Sequence, residues 1–158
     1  MKSEEIFDLC RVISKAHQVD PILVIAICGQ ESNYTPSSVR FEPKWNYLFE
    51  TEKFARKLKI TQATEEQLQK FSWGIMQVMG SVARELGFDK ALPELIKADL
   101  GIYYGILKLS VLATKYKNQT DQIASYNGGN ATKVNGIYRN HKYVDSILKR
   151  MSVLEKLQ

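Results

Sequence analysis

Glu31 is the residue in this chain best placed to do chemistry. It follows Val24, Ile27 and Cys28 at helical spacing, where a further apolar residue would continue the stripe. A carboxyl group against an apolar helix face is poorly solvated. Its proton is then held more tightly than in water. An acid that stays protonated near neutral pH can donate a proton to a leaving group. A carboxylate at the solvated end of a helix is the plainer reading, and spacing alone does not choose between them.

Two further polar islands interrupt helical apolar pattern: Gly74-Ile75-Met76-Gln77 and Ser125-Tyr126-Asn127-Gly128-Gly129. Taken singly, each has an ordinary explanation. Gly74 can open a tight turn and Gln77 can be a surface residue. Met76 can be core, and Asn127-Gly128 can stop a helix. Ser32 directly follows Glu31 and could bond a ligand, bond Glu31, or simply end its helix.

These groups need elements to hold them. Ile6, Leu9, Cys10 and Ile13 predict a helix over residues 3–16. Asp20 before Pro21 is a helix start, with a capping side chain and a proline at the first helical position. The run from Ile22 to Gln30 is apolar nearly all round, which predicts a helix in the middle of the protein, stopping near Ser32. Residues 37–72 carry Phe41, Trp45, Tyr47, Leu48, Phe49 and Phe54 without a clean period. They read either as the wall of a groove or as irregular core packing. Thr64-Glu65-Glu66-Gln67 matches a capping box and predicts a short helix over 65–71. Met76, Met79, Ala83 and Leu86 predict a helix from Ile75 to the stop at Gly87. Ile102, Ile106, Leu109 and Ala113 predict a long one from Asp99 to Tyr116. Thr120 is the expected cap of a helix through Tyr126, and Tyr143, Ile147, Met151 and Leu154 mark a last helix. No strand alternation is evident, so the expected fold class is mostly α.

The sequence has 158 residues, a size suited to one domain over 1–158, with 44% hydrophobic and 25% charged residues. A formal charge of +5 suits a polyanionic partner such as a cell-wall polymer, anionic lipid or nucleic acid. No recognition helix or basic stripe supports nucleic acid. Cys10 and Cys28 lie among apolar residues and read as reduced core thiols. His17 and His141 have no partner cluster, so no metal site is expected. No apolar stretch is long enough for an integral membrane segment. The acidic start MKSEEIFDLC lacks the pattern of a signal peptide. A chain made in the cytoplasm, with any export by another route, is the expectation.

In this order the three islands resemble the lytic transglycosylase domain of the goose-type lysozyme superfamily. That family's pattern is Glu-Ser at the end of a buried helix, then Gly-Leu-Met-Gln, then Ala-Tyr-Asn-x-Gly, then a Tyr-Val pair that Tyr143-Val144 matches. The resemblance covers roughly residues 8 to 150. Ile75 replaces the Leu, Tyr34-Thr35-Pro36 replaces Phe-Asn-Pro, and Phe71-Ser72-Trp73 stands before Gly74 in place of Gly-Ala-x. The interval from Glu31 to Gly74 is longer than in simple members.

The resemblance implies a lysozyme-like fold and cleavage of the MurNAc-β-1,4-GlcNAc bond of peptidoglycan glycan strands. The product would be 1,6-anhydroMurNAc. It makes Glu31 the catalytic acid and then base, with Ser32, Gly74, Met76, Gln77, Tyr126, Asn127 and Tyr143 binding substrate. No cofactor is implied, and a monomer is expected, acting on the wall as a phage lysin, a virion-associated enzyme or one exported by a dedicated route. A hydrolytic muramidase or chitinase-like enzyme on the same fold is one alternative. Glu42, Glu50 or Glu52 would then supply a second carboxylate. A weakly active wall-binding or assembly protein is the other alternative.

Overall fold

The computed structural model describes residues 2–157. Among them the chain runs α1 (Ser3–His17), α2 (Pro21–Ser32), β1 (Val39–Phe41), α3 (Thr51–Leu58) and α4 (Gln62–Gln69). It continues through β2 (Phe71–Trp73), β3 (Val78–Met79), α5 (Gly80–Glu85) and a 3-10 turn (Leu92–Ile96). Then follow α6 (Ala98–Lys115), α7 (Gln119–Gly128), β4 (Lys133–Val134), β5 (Ile137–Tyr138) and α8 (His141–Glu155). The protein is mostly helical, as the periodicity predicts. No helix among the described residues is long and apolar enough to cross a membrane.

The chain divides into two compact units. One comprises residues up to Gln30 and from Ile106 onward, and the other comprises Glu31–Gly105.

In the first unit α2 starts as the sequence predicts. Asp20 Oδ1 accepts from the Ile22 amide at 2.9 Å, and Pro21 occupies the first helical position. Every residue from Ile22 to Gly29 is buried, so this helix is enclosed on all sides. Cys10 on α1 and Cys28 on α2 are buried and not joined in a disulfide, with sulfurs 3.9 Å apart, in line with the reading as core thiols. α7 packs on α8, and α8 buries Val144, Ile147 and Met151. The cap of α7 is Asn118, whose side chain accepts from the Thr120 amide, and not Thr120 itself. An asparagine side chain reaches the amide two residues on, and Thr120 already lies inside the helix.

β4 and β5 form a hairpin with Lys133 opposite Tyr138. Asn135 (φ 52°) and Gly136 (φ 78°) both take left-handed backbone, as a two-residue hairpin turn requires. Its base is fixed by Asp121, which accepts from the Tyr138 hydroxyl and lies 3.4 Å from Lys133 Nζ. That carboxylate raises the Tyr138 phenol above its ordinary value.

The second unit contains what periodicity misses. β1, β2 and β3 form an antiparallel sheet in that order, with Val39 opposite Trp73 and Ser72 opposite Met79. Strands of two or three residues are too short to display alternation, and all of β1 is exposed. The helix predicted from Ile75 begins only at Gly80, because residues 74–77 form a turn joining β2 to β3. The helix predicted over 65–71 spans Gln62–Gln69 and is capped by Thr61, whose side chain accepts from Thr64 N.

α3 packs on α4 and α4 on α5 around a buried ionic cluster. Arg84 and Glu65 both have side chains 0% exposed. Arg84 Nε and one terminal nitrogen grip the two Glu65 oxygens at 2.7 and 3.0 Å. Its other terminal nitrogen donates to the carbonyls of Phe88 (2.8 Å) and Lys90 (2.7 Å). Gln69 donates to Glu65 at 2.9 Å. Gln69 also pairs with the Phe49 amide and carbonyl at 2.8 and 2.9 Å, which anchors the irregular stretch before α3. Every charge here has a partner, the condition under which a buried ion pair is tolerated.

Candidate active site

Glu31 is the penultimate residue of α2 and is half-buried. Asn33 (φ 49°) and Tyr34 (φ 61°) follow in left-handed backbone and end the helix abruptly. Ser32 Oγ donates to the Ile75 carbonyl at 2.8 Å and accepts from the Thr35 amide at 3.2 Å. Ser32 therefore ties the end of α2 to the Gly74–Gln77 turn and shapes the backbone that follows it.

The Gly74–Gln77 turn is a lock. Gly74 sits at φ +74°, and a Cβ there would lie 2.2 Å from the Leu95 carbonyl oxygen. Its amide donates to the Ser38 carbonyl at 2.8 Å. The glycine expected to let backbone approach a sugar is thus demanded by backbone packing within the protein.

Gln77 is also left-handed, at φ 50°, and nearly buried. Its Nε2 donates to Ser38 O at 3.0 Å and Gly74 O at 2.8 Å, and its Oε1 accepts from Ser72 Oγ at 2.7 Å. Both donor hydrogens are directed inside the protein. The amide, expected to reach sugar groups, staples β2, the turn and the residue before β1 together. These bonds hold a non-glycine residue in a conformation that costs free energy.

Met76, expected to bind substrate, is enclosed. Its side chain is 0% exposed, and a Cβ on Gly105 would fall 2.2 Å from its sulfur. The thioether fills the space that this glycine leaves on α6. It packs as core at this position.

The second carboxylates weighed from the sequence are surface groups. Glu42 pairs with Arg40, Glu50 with Lys53 and Glu52 with Arg56, and the three acids have side chains 37%, 45% and 64% exposed.

In the first unit, Tyr126 lies in the last turn of α7 and is 3% exposed. Asn127 follows at the surface. Its Oδ1 accepts at 3.0 Å from Asn140, which also donates to the Ala124 carbonyl at 2.9 Å. Gly129, at φ 75°, closes the helix with its amide on Ser125 O. Tyr143 is half-buried on α8. One turn later Ser146 Oγ donates to Gln30 Oε1 at 2.6 Å, and Arg150 Nε donates to the same oxygen at 3.1 Å. These spacings place Tyr143 on the side of α8 that grips the residue preceding Glu31 in the chain.

Several residues with a part in this arrangement carry no signal in the sequence. Ser38 acts through its carbonyl alone, Asn140 looks like any loop asparagine, and Ser72 replaces a family residue without announcing a role. Lys108 donates to the Tyr126 carbonyl at 2.8 Å, although its spacing on α6 reads only as a polar position.

A family model described as Transglycosylase SLT domain matches residues 8–147. Comparison with curated proteins found no match, and comparison with solved structures found none.

Proposed function

The chain belongs to the transglycosylase SLT domain family, and on that premise we propose that it cleaves the MurNAc-β-1,4-GlcNAc bond of peptidoglycan without hydrolysis, with Glu31 as acid and then base. The observation that carries this reading is the position of Glu31. It is the one carboxyl at the end of a helix whose residues 22–29 are all buried. The matched span 8–147 draws on both compact units, which supports reading the chain as one functional domain.

Two physical effects favour the neutral acid before reaction. Partial burial penalises the carboxylate. The C-terminal end of a helix carries partial negative charge, which disfavours a second negative group beside it. Protonated Glu31 gives its proton to the leaving glycosidic oxygen as the bond breaks. In the family's reaction the substrate's own N-acetyl oxygen attacks the sugar carbon and takes up the positive charge. The muramic 6-hydroxyl then displaces it, and ionised Glu31 accepts the hydroxyl proton. The reaction returns the enzyme to its starting protonation state.

This scheme needs one carboxyl, where most glycosidases need two. The engagement of Glu42, Glu50 and Glu52 in exposed ion pairs supports the one-carboxyl scheme. Tyr126, Asn127 and Tyr143 are assigned to substrate by the family pattern. Ser32, Gly74, Met76 and Gln77 shape the turn and sheet beside Glu31, and they are proposed as positioning groups. Positioning of this kind lowers the barrier when reacting atoms are held within near-attack distance.

Glu31→Gln keeps the size of the side chain and removes the transferable proton. Wall-lytic activity of the folded variant should fall by orders of magnitude. The wild-type acidic limb should report a group titrating above the ~4.3 of a free Glu. Near-normal turnover by folded Glu31→Gln would move the assignment to another acid.

A further inference from the structure

Lys108 lies on α6, and Tyr126 lies in the last turn of α7. The lysine ammonium makes two contacts with that one tyrosine. It donates to the Tyr126 main-chain carbonyl at 2.8 Å. It also stands 3.9 Å from the centroid of the Tyr126 ring. Tyr126 is 3% exposed and Lys108 is half-buried, so this is not a solvent-facing lysine resting on a surface ring.

Each contact has its own physical reason. The last carbonyls of a helix have no partner within it. A cation at that end also meets the negative end of the helix dipole. The face of a phenol ring is the negative side of its quadrupole and attracts the same cation. Bending a long side chain back onto a neighbour costs rotamer freedom. Here one geometry satisfies both contacts and offsets that cost.

We propose that Lys108 is a positioning residue for Tyr126, fixing its backbone and ring together and strengthening its hydroxyl as a hydrogen-bond donor toward the negative charge that develops on the departing glycosidic oxygen. The assignment rests on the proposed glycan-cleaving function. A positive charge over the ring draws electron density from the phenol oxygen, so the O–H becomes a better donor. Clamping the carbonyl and the ring from one side also removes the ring's freedom to tilt. Lys108 itself need not touch substrate.

The test uses the full chain and peptidoglycan strands, with four variants: Lys108→Met, Lys108→Arg, Tyr126→Phe and the double Lys108→Met/Tyr126→Phe. Lys108→Met retains an apolar stem and loses the charge. It should lower kcat about tenfold with KM changed less than about twofold, the pattern of an interaction used in the transition state. Lys108→Arg retains a cation and should stay within about threefold of wild type. In the Tyr126→Phe background the Lys108→Met step should change kcat by less than about twofold, because its target hydroxyl is gone. A merely structural lysine would give losses that multiply.

A second readout is independent of activity. The Lys108 ε-methylene protons lie over an aromatic ring, so in a lysine-labelled protein one ε-CH2 signal should be shifted upfield. Lys108→Arg should remove that signal. Independent kcat losses in the two single variants, or unchanged kcat in Lys108→Met, overturn the positioning role. An active enzyme with no upfield lysine signal overturns the clamp. A wild-type protein that shows the upfield signal but does not cleave peptidoglycan overturns the functional reading, and the catalytic part of this proposal with it.

Discussion

Gly74→Ala distinguishes a glycine kept for substrate from one kept for the fold. The added methyl meets three costs. Left-handed backbone at φ +74° costs an L-residue roughly 1–2 kcal/mol. The Cβ would sit 2.2 Å from the Leu95 carbonyl oxygen, a main-chain atom that cannot swing aside. Overpacking of that kind costs about 1–3 kcal/mol. The shift also strains the 2.8 Å bond from the Gly74 amide to Ser38, worth about 1 kcal/mol. The sum is about 4 kcal/mol. Gly129→Ala is the internal control. Its φ of +75° is nearly the same, but nothing lies within 4 Å of the added atom, so only the backbone cost of roughly 1–2 kcal/mol applies. For a chain of this length 1 kcal/mol moves Tm by ~2–4 °C. Gly74→Ala should therefore melt about 12 °C below wild type, and Gly129→Ala only about 4 °C below it. Thermal unfolding followed by circular dichroism measures both. If the two variants melt together while Gly74→Ala loses activity, the glycine serves the sugar and the lock is wrongly read.

Arg84→Met leaves the Glu65 carboxylate enclosed with Gln69 as its remaining side-chain partner and should cost about 3–5 kcal/mol in denaturant unfolding. Adding Glu65→Leu should recover much of that loss, and an exposed pair would show neither effect. Cys10 and Cys28, buried and unbridged, should resist a thiol reagent in the native protein and both react after denaturation. Fast reaction of either thiol in the native state would contradict the burial.

Much of the helical frame is legible in the sequence because long helices repeat their apolar residues. The all-round apolar run from Ile22 becomes a fully enclosed α2, and Asp20-Pro21 marks its start. The sheet is not legible, since β1 has three exposed residues and β3 only two residues in all. One signal was readable: Asn135-Gly136 between Val134 and Ile137 is a hairpin sequence, and β4 and β5 form there. At the candidate site, spacing isolates Glu31 and the Gly74–Gln77 turn. It does not reveal that Met76 and Gln77 face inward, because their partners Gly105 and Ser38 are distant in sequence and Ser72 meets Gln77 only once β2 and β3 pair. The buried Glu65–Arg84 pair was hidden for a different reason. A charged residue in an amphipathic helix reads as solvent-facing until a partner from another helix is known.

The central claim is that Glu31 breaks the glycan without an activated water, and the mass of the first products tests it most directly. Purified peptidoglycan should be digested briefly with the wild-type protein and the released muropeptides weighed. The account predicts species ending in 1,6-anhydro-muramic acid, one water lighter than hydrolysis products and without a reducing end, from the first time point. Reducing muramic ends appearing from the start would contradict it and return Glu42, Glu50 and Glu52 to consideration as the partner that activates water.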